Sequence, residues 1–373
     1  MDPKIILETA LNRKEITAIE ALLLMQEGDG ILPRLLQIAD EINRRLNGGL
    51  VTYVRGKTLY YTNICRAECS FCSFWRRRGQ KSAFVRSPEE IVRQVRESLP
   101  LRQVTLQGGL NPDLNFAYHL ETLRRLREAF PALHIQGYSP AEIHFVARRA
   151  RISPAEALKR LREAGLDSLS GDSADILSDK VRKKICSDKL RTADWVEIVR
   201  TAHRLGIPST ATILYGHVED EIYICEHLEI IKNLQKETGG FSAFEPIAFV
   251  PHNTPLGRSR KIRHPVPLTN TLRMVAIARI FFGRLIPHIQ IDWTKVGLET
   301  AVRALDAGAD EIGLLSHDSH EIRLPECNGR GTSPLPFLRA AVLRKGRTLS
   351  ERNPHTFRIP PPPQPKKMEL VFA

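Results

Sequence analysis

The stretch Asn63-Ile64-Cys65-Arg66-Ala67-Glu68-Cys69-Ser70-Phe71-Cys72-Ser73-Phe74 spaces three cysteines as C-x3-C-x2-C. Sulfide-bridged iron prefers soft, deprotonated sulfur, so three thiolates this close suit a 4Fe-4S cluster and leave one iron without a protein ligand. A zinc knuckle needs a second cysteine pair or histidines at a set distance, and Cys186, Cys225 and Cys327 stand alone. Cys186 and Cys225 read as buried apolar thiols. Six cysteines in 373 residues are too few for a disulfide scaffold, and half fall in this one segment, which points to metal in a reducing compartment.

Working outward, the cysteines follow a β-rich run over 58–62, and further runs lie at 103–107, 133–137, 168–170, 209–215, 243–249, 289–293 and 311–315. Amphipathic stretches of helical period separate them, the rhythm of βα units around a parallel sheet. Eight such units predict an α/β fold, a parallel (β/α) TIM-type barrel, with the cysteines at the C-terminal end of the first strand, where barrel active sites lie. Ser87-Pro88-Glu89-Glu90 and Ser153-Pro154-Ala155-Glu156 are capping boxes with proline at the first helical position. We divide the chain into an N-terminal helical segment (1–50), the barrel (51–345) and an irregular, Pro-rich C-terminal tail (346–373).

Composition narrows the function. With 42% hydrophobic and 26% charged residues the chain reads as a globular protein with a continuous core. Its net charge of +13 is spread over helical stretches such as Arg160, Arg162, Arg182, Lys183 and Lys184, and only Arg76-Arg77-Arg78 is compact. That pattern favours solvated faces and anionic small molecules over nucleic acid. No secretion signal and no run of about 18 apolar residues is visible, so we expect a cytoplasmic protein without membrane insertion.

The cysteine motif, the aromatic Phe71 before Cys72 and the pair Gly108-Gly109 after the second strand resemble the radical S-adenosylmethionine (SAM) family. The resemblance implies a 4Fe-4S cluster on Cys65, Cys69 and Cys72, with SAM on the open iron. A glycine pair would let backbone groups meet the methionine moiety. Tyr138-Ser139-Pro140-Ala141-Glu142-Ile143, Glu163-Ala164-Gly165-Leu166-Asp167-Ser168, Tyr215-Gly216-His217-Val218-Glu219 and Glu237-Thr238-Gly239-Gly240-Phe241 are similar to a narrower group. It contains cyclic dehypoxanthine futalosine synthase, aminodeoxyfutalosine synthase and the ribitylaminouracil hydroxyphenyl transferase of deazaflavin synthesis. Two segments depart from the group: Ser170-Gly171-Asp172-Ser173-Ala174-Asp175, where a longer glutamate is usual, and His317-Asp318-Ser319-His320-Glu321.

From this resemblance we expect Phe71, Phe74, Gly108, Gly109 and Asp175 to bind SAM, and Ser139, Glu142 and Trp293 to meet substrate, with Gln107 nearby. His217 and Glu219 are the expected proton-transfer pair. The loop cap is an equally simple role for Ser139 and Glu142, and a structural pair for His217 and Glu219. Arg76 or Arg77 would hold a substrate carboxylate. The expected partners are a small aromatic substrate and an electron donor such as flavodoxin or ferredoxin. The main reading is cyclisation of dehypoxanthine futalosine in menaquinone synthesis, the second is aminodeoxyfutalosine synthase or the hydroxyphenyl transferase, and a third is a cluster-bearing protein without turnover.

Overall fold

The computed structural model describes residues 2–12, 15–259, 262, 264–315 and 334–356. Three helices lead in. Pro3–Leu11 is capped by Asp2, Ala18–Gln26 by the reciprocal pair of Thr17 and Glu20, and Leu32–Asn47 ends at Gly48, whose φ of 62° is left-handed. Asn43 and Asn47 of the third helix donate to the carbonyls of Ala309 and Pro287, fixing it to the sheet edge.

Among the described residues seven strands follow: β1 (Leu50–Thr62), β2 (Gln103–Gly108), β3 (His134–Gly137), β4 (Ser209–Tyr215), β5 (Phe241–Ala248), β6 (Glu311–Leu315) and β7 (Thr348–Glu351). All pairings between them are parallel. Hydrogen bonds join β3-β2-β1-β6, with β7 also on β1, and separately β4-β5. Single parallel bridges, Gln136 to Ser168 and Leu169 to Ser209, carry the pairing from β3 to β4, and Phe244 to Ile289 and Gln290 to Glu311 carry it from β5 to β6. Helices between successive strands cover the apolar outer faces: Ile91 and Val95 of Pro88–Glu97 are fully buried, as are Leu123 and Leu126 of Phe116–Ala129.

Six expected strands are present, while 168–170 and 289–293 shrink to bridges. The first run stops at Gly171, where a Cβ would lie 2.3 Å from the Thr210 carbonyl oxygen. The second stops where Asp292 caps the helix Trp293–Val296. β1 begins eight residues before the expected start at 58, because Gly56 interrupts the apolar run without ending the strand. A Cβ there would meet Leu314 at 2.6 Å and the Gln103 carbonyl at 3.0 Å, so only glycine lets β2 and β6 flank β1 so closely. Beyond residue 345, in the segment read as tail, β7 pairs Leu50–Tyr53 with Thr348–Glu351. Ser87 forms both halves of its capping box; Ser153 forms only the half in which its hydroxyl accepts from the Glu156 N–H.

The N-terminal ends of the strands are sealed by charge. Arg279, fully buried, donates to Asp310 (2.5 Å) and to the carbonyls of Gly308 and Pro287, while His288 meets the other Asp310 oxygen at 2.6 Å. Gly308 is required beside it, since a Cβ would meet the Arg279 side chain at 2.8 Å. Arg352 makes a two-pronged pair with Glu311, and Glu351 accepts from Arg55.

Candidate active site

At the opposite end, β1 delivers the cysteine loop. Thr62 Oγ1 donates to the Phe84 carbonyl and accepts from Ile64 N–H and Asn111, and the loop folds back on itself through Cys65 N–H to Arg76 O (3.1 Å) and Arg76 N–H to Asn63 O (2.8 Å). Trp75 Nε1 and Cys72 N–H both donate to the Cys69 carbonyl. Arg76 is spent inside the loop, on the carbonyls of Ser73, Phe74 and Trp75 and on Ser82 Oγ, and Arg77 is paired with Glu68. Both guanidinium groups thus brace the loop, and Arg76 also lines the cavity beside it.

Cys65, Cys69 and Cys72 all line one cavity of about 1230 Å³ that runs between the strands. The glycine pair fits beneath them. A Cβ on Gly109 would lie 2.3 Å from the Ile64 carbonyl oxygen and 2.7 Å from Cys65 Cβ, and one on Gly108 would strike the Tyr61 ring. Three soft ligands on a braced loop over an open cavity suit a cluster with one iron left free. Phe71 and Phe74 line the same space, with Phe74 against Tyr60 at 4.6 Å between ring centroids.

Behind Cys69 lies a charged group that the sequence did not reveal. Asp175, at φ 46°, accepts from Lys189 Nζ with both oxygens (2.9 and 3.0 Å), sits 3.5 Å from Arg182 and accepts from Cys186 at 3.6 Å. Burial alone would raise the Asp175 carboxyl, but Lys189 and Arg182 outweigh it and hold it below the usual range. Hydrogen bonding to Cys186, with burial, pushes the Cys69 thiol well up. Cys186 and Cys225 are both buried in the hydrophobic core as expected, Cys186 with the added contact to Asp175 beside a cysteine of the loop and Cys225 against Met25.

Ser139 and Glu142 form the capping box of helix Pro140–Ala150. The same carboxylate also accepts from Tyr61 Oη (2.6 Å) and Gly108 N–H (3.2 Å), so it supports the glycine turn. Burial pushes its pKa up to about 7 despite these donors. His217 and Glu219 bind each other (2.9 Å) and the backbone of 214–218, and neither lines the cavity. Burial would raise Glu219, but His217 more than offsets it and the carboxyl lies below its usual range. Trp293 is likewise outside the lining, its Nε1 donating to the Leu314 carbonyl. His317, Asp318, His320, Glu321 and Cys327 fall outside the described residues.

The cavity wall itself was the largest omission. Gln103, Thr105 and Gln107 on β2, Gln136 on β3, Thr210 and Thr212 on β4, and Glu245 on β5 all face inward. Asp172 accepts from Ser170 (2.6 Å) and from Gln107, and Gln290 donates to Glu245 (2.7 Å). Burial, then the neighbouring Asp292 and Asp172, pushes the Glu245 carboxyl well above its ordinary value. Lys295 is held charged: burial works against it, but Asp292 and its neighbours prevail. Polar residues at every second position of β2, with Val104 and Leu106 buried between them, were the available signal.

Comparison with known proteins agrees with this geometry. The description "Radical SAM superfamily" matches residues 59–231 and "CofH/MqnC C-terminal region" matches 238–321. The chain is 37% identical to the 5-amino-6-(D-ribitylamino)uracil--L-tyrosine 4-hydroxyphenyl transferase of Methanocaldococcus jannaschii, covering 84% of this chain and 87% of that protein. It is also 37% identical to a transferase of the same name from Methanosarcina barkeri, over 86% and 89% of the two chains. Among solved structures, methylornithine synthase superposes with a TM-score of 0.73 at 17% identity, covering 93% of this chain and 98% of that one. The hydrogenase maturase HydG from Carboxydothermus hydrogenoformans gives 0.71 at 17% identity, covering 93% and 79%. These two structures speak to the fold.

Proposed function

The chain belongs to the radical SAM superfamily, within the group that carries a CofH/MqnC C-terminal region, and we propose that it transfers the 4-hydroxyphenyl group of tyrosine to 5-amino-6-(D-ribitylamino)uracil. The family uses a 4Fe-4S cluster and SAM. What carries the proposal is the identity to proteins named for that reaction across most of both chains. Those names favour the hydroxyphenyl transferase over futalosine cyclisation.

In this reading the strands and their linking bridges form a (β/α) barrel, and Cys65, Cys69 and Cys72 hold three irons of the cluster. When bound, the cluster supplies the electron that cleaves SAM to methionine and a 5′-deoxyadenosyl radical. The protein's part is binding, orientation and proton handling. The amides and hydroxyls of Gln103, Thr105, Gln136, Thr210 and Thr212 offer donors and acceptors that match a ribityl chain and a uracil edge. Tyr60 and Phe74 give the tyrosine ring an aromatic wall close to the loop. Glu245, half-buried in the cavity wall with its carboxyl pushed up, is the donor to substrate, and Asp172 or Glu142 takes the proton-acceptor role expected of His217 and Glu219, which are consumed by each other. Asp175 serves SAM indirectly, by fixing Lys189 beside the Phe71 ring, with the ammonium 5.5 Å from the centroid. A small one-electron carrier such as flavodoxin or ferredoxin is the proposed donor.

The test is anaerobic incubation of reconstituted protein with reductant and SAM, with tyrosine plus the ribitylaminouracil in one arm and dehypoxanthine futalosine in the other. We expect 5′-deoxyadenosine and a coupled product only in the first arm, followed by mass spectrometry. Conversion of the futalosine with an inert first arm would overturn the assignment.

A further inference from the structure

A second cluster of ligating side chains lies far from the cysteines, at the N-terminal end of β3. His134 begins that strand, Asp167 precedes the bridge residue Ser168, and His355 comes from the segment after β7. The two imidazoles face each other Nδ1 to Nδ1 at 3.4 Å, and a carboxylate oxygen of Asp167 lies within 4.8 Å of both ring nitrogens. We propose that His134, His355 and Asp167 form a binding site for a zinc-like divalent cation, which fastens the segment after β7 to the N-terminal end of the sheet.

Four observations converge on it. The His355 Nε2 lies 3.3 Å from the Ala132 carbonyl, and a carbonyl only accepts, so the proton sits on Nε2 and a neutral His355 presents a lone pair at Nδ1. His134 Nε2 is 2.8 Å from Ser168 Oγ, a hydroxyl that can donate or accept, so the ring is held from its far side and its Nδ1 can present a lone pair when Nε2 carries the proton. Anchoring the distal nitrogen to an oxygen while the proximal one faces its counterpart is the arrangement that orients metal-bound histidines. The Nδ1 separation also fits: two nitrogens of a tetrahedral zinc site, each about 2.0–2.1 Å from the metal, lie roughly 3.3–3.4 Å apart. Asp167 is oriented in turn, one oxygen accepting from Arg127 (2.6 Å) and from Ile135 N–H (2.7 Å). The Arg127 charge weakens the site relative to a bare carboxylate. Three protein ligands leave a fourth position for water.

The rival occupant is a proton, shared as an imidazole to imidazole hydrogen bond. The experiment uses the full chain with its cluster reconstituted, so that the three loop cysteines are already engaged. The protein is given zinc, cleared of loosely bound metal, and measured for zinc and iron together. We expect one zinc per chain in addition to the cluster iron, with an X-ray absorption shell of nitrogen and oxygen at about 2.0–2.1 Å and no sulfur at about 2.3 Å. The exposed His355→Ala change should abolish zinc retention without altering iron content, and Asp167→Asn should weaken retention at least ten-fold. Zinc retained equally by His355→Ala, a sulfur shell in the wild type, or no zinc retained by the wild type would each overturn the proposal, the last in favour of the shared proton.

Discussion

At the C-terminal end of the sheet the three candidate cluster cysteines fall within eight positions, 65–72, whereas at the N-terminal end the charged and ring pairs join distant parts of the chain: Arg279 and His288 with Asp310, Arg55 with Glu351, Glu311 with Arg352, and His134 with His355. One end presents groups to a cavity, and the other shuts it. Ligands for a cluster must lie within a few ångströms of one another, which a short loop on the end of one strand provides. A seal has to bring the first and last strands together, and only long-range pairs do that.

The sharpest way to break this contrast is at the cysteine end. Cys69→Ala should lose the cluster entirely, read as iron content and brown colour after anaerobic purification, and with it all SAM cleavage. Cys225→Ala, against Met25 and remote from the loop, should keep full iron; Cys186 is a poor control because it lies beside Cys69. At the other end Arg279→Met should cost about 3–5 kcal/mol in urea unfolding, because it leaves Asp310 buried with half its compensation. Iron per folded molecule should be unchanged. If that variant loses its cluster while still folded, the two ends are not independent.

Glu142 sharpens the comparison through pH. Its folded pKa of about 7 is above the ordinary 4.5, so its contribution to stability is complete below pH 4.5 and is lost as pH rises through about 7. The urea midpoint of the wild type should therefore fall between pH 5 and pH 8 by more than that of Glu142→Gln. Equal falls would place the titrating group elsewhere. The smallest effect is expected at Glu351, whose pairs with Arg55 and Arg102 are partly solvated. Glu351→Ala should cost about 1 kcal/mol or less, measured by the same titration.

Legibility followed the same division. The C-x3-C-x2-C spacing, the glycine pair and the caps of Ser87 and Ser139 are local, and each appears where the sequence placed it. The first half of β1 did not show itself, because Gly56 interrupts the apolar run and the crowding of that glycine by β2 and β6 is visible only in the fold. Arg76 and Arg77 looked like anion binders because their partners are loop carbonyls and Glu68, which only the folded loop brings within reach. Cys186 is buried in the core as expected, but its contact to Asp175 depends on a left-handed backbone at Asp175 that spacing does not reveal. The paired alternation on β2 was visible, but a strand with polar residues at every second position reads as half-exposed unless its other face is known to line a cavity.

β1 bears on one matter beyond the finished molecule, the order in which the chain is made. The cysteine loop and one edge of β1 are synthesised early, yet the partner for the other edge, Glu311 opposite Thr52, comes much later, as does Thr348 opposite Leu50. At about 5–20 residues per second, roughly 10–50 s pass during which β1 offers an open, apolar edge and the loop has its thiols but not its cavity. An unpaired strand edge is a template for pairing with another chain, so overproduction at high synthesis rates should yield aggregates in which β1 is the pairing surface, read as slowed amide exchange over residues 50–55 of the aggregate.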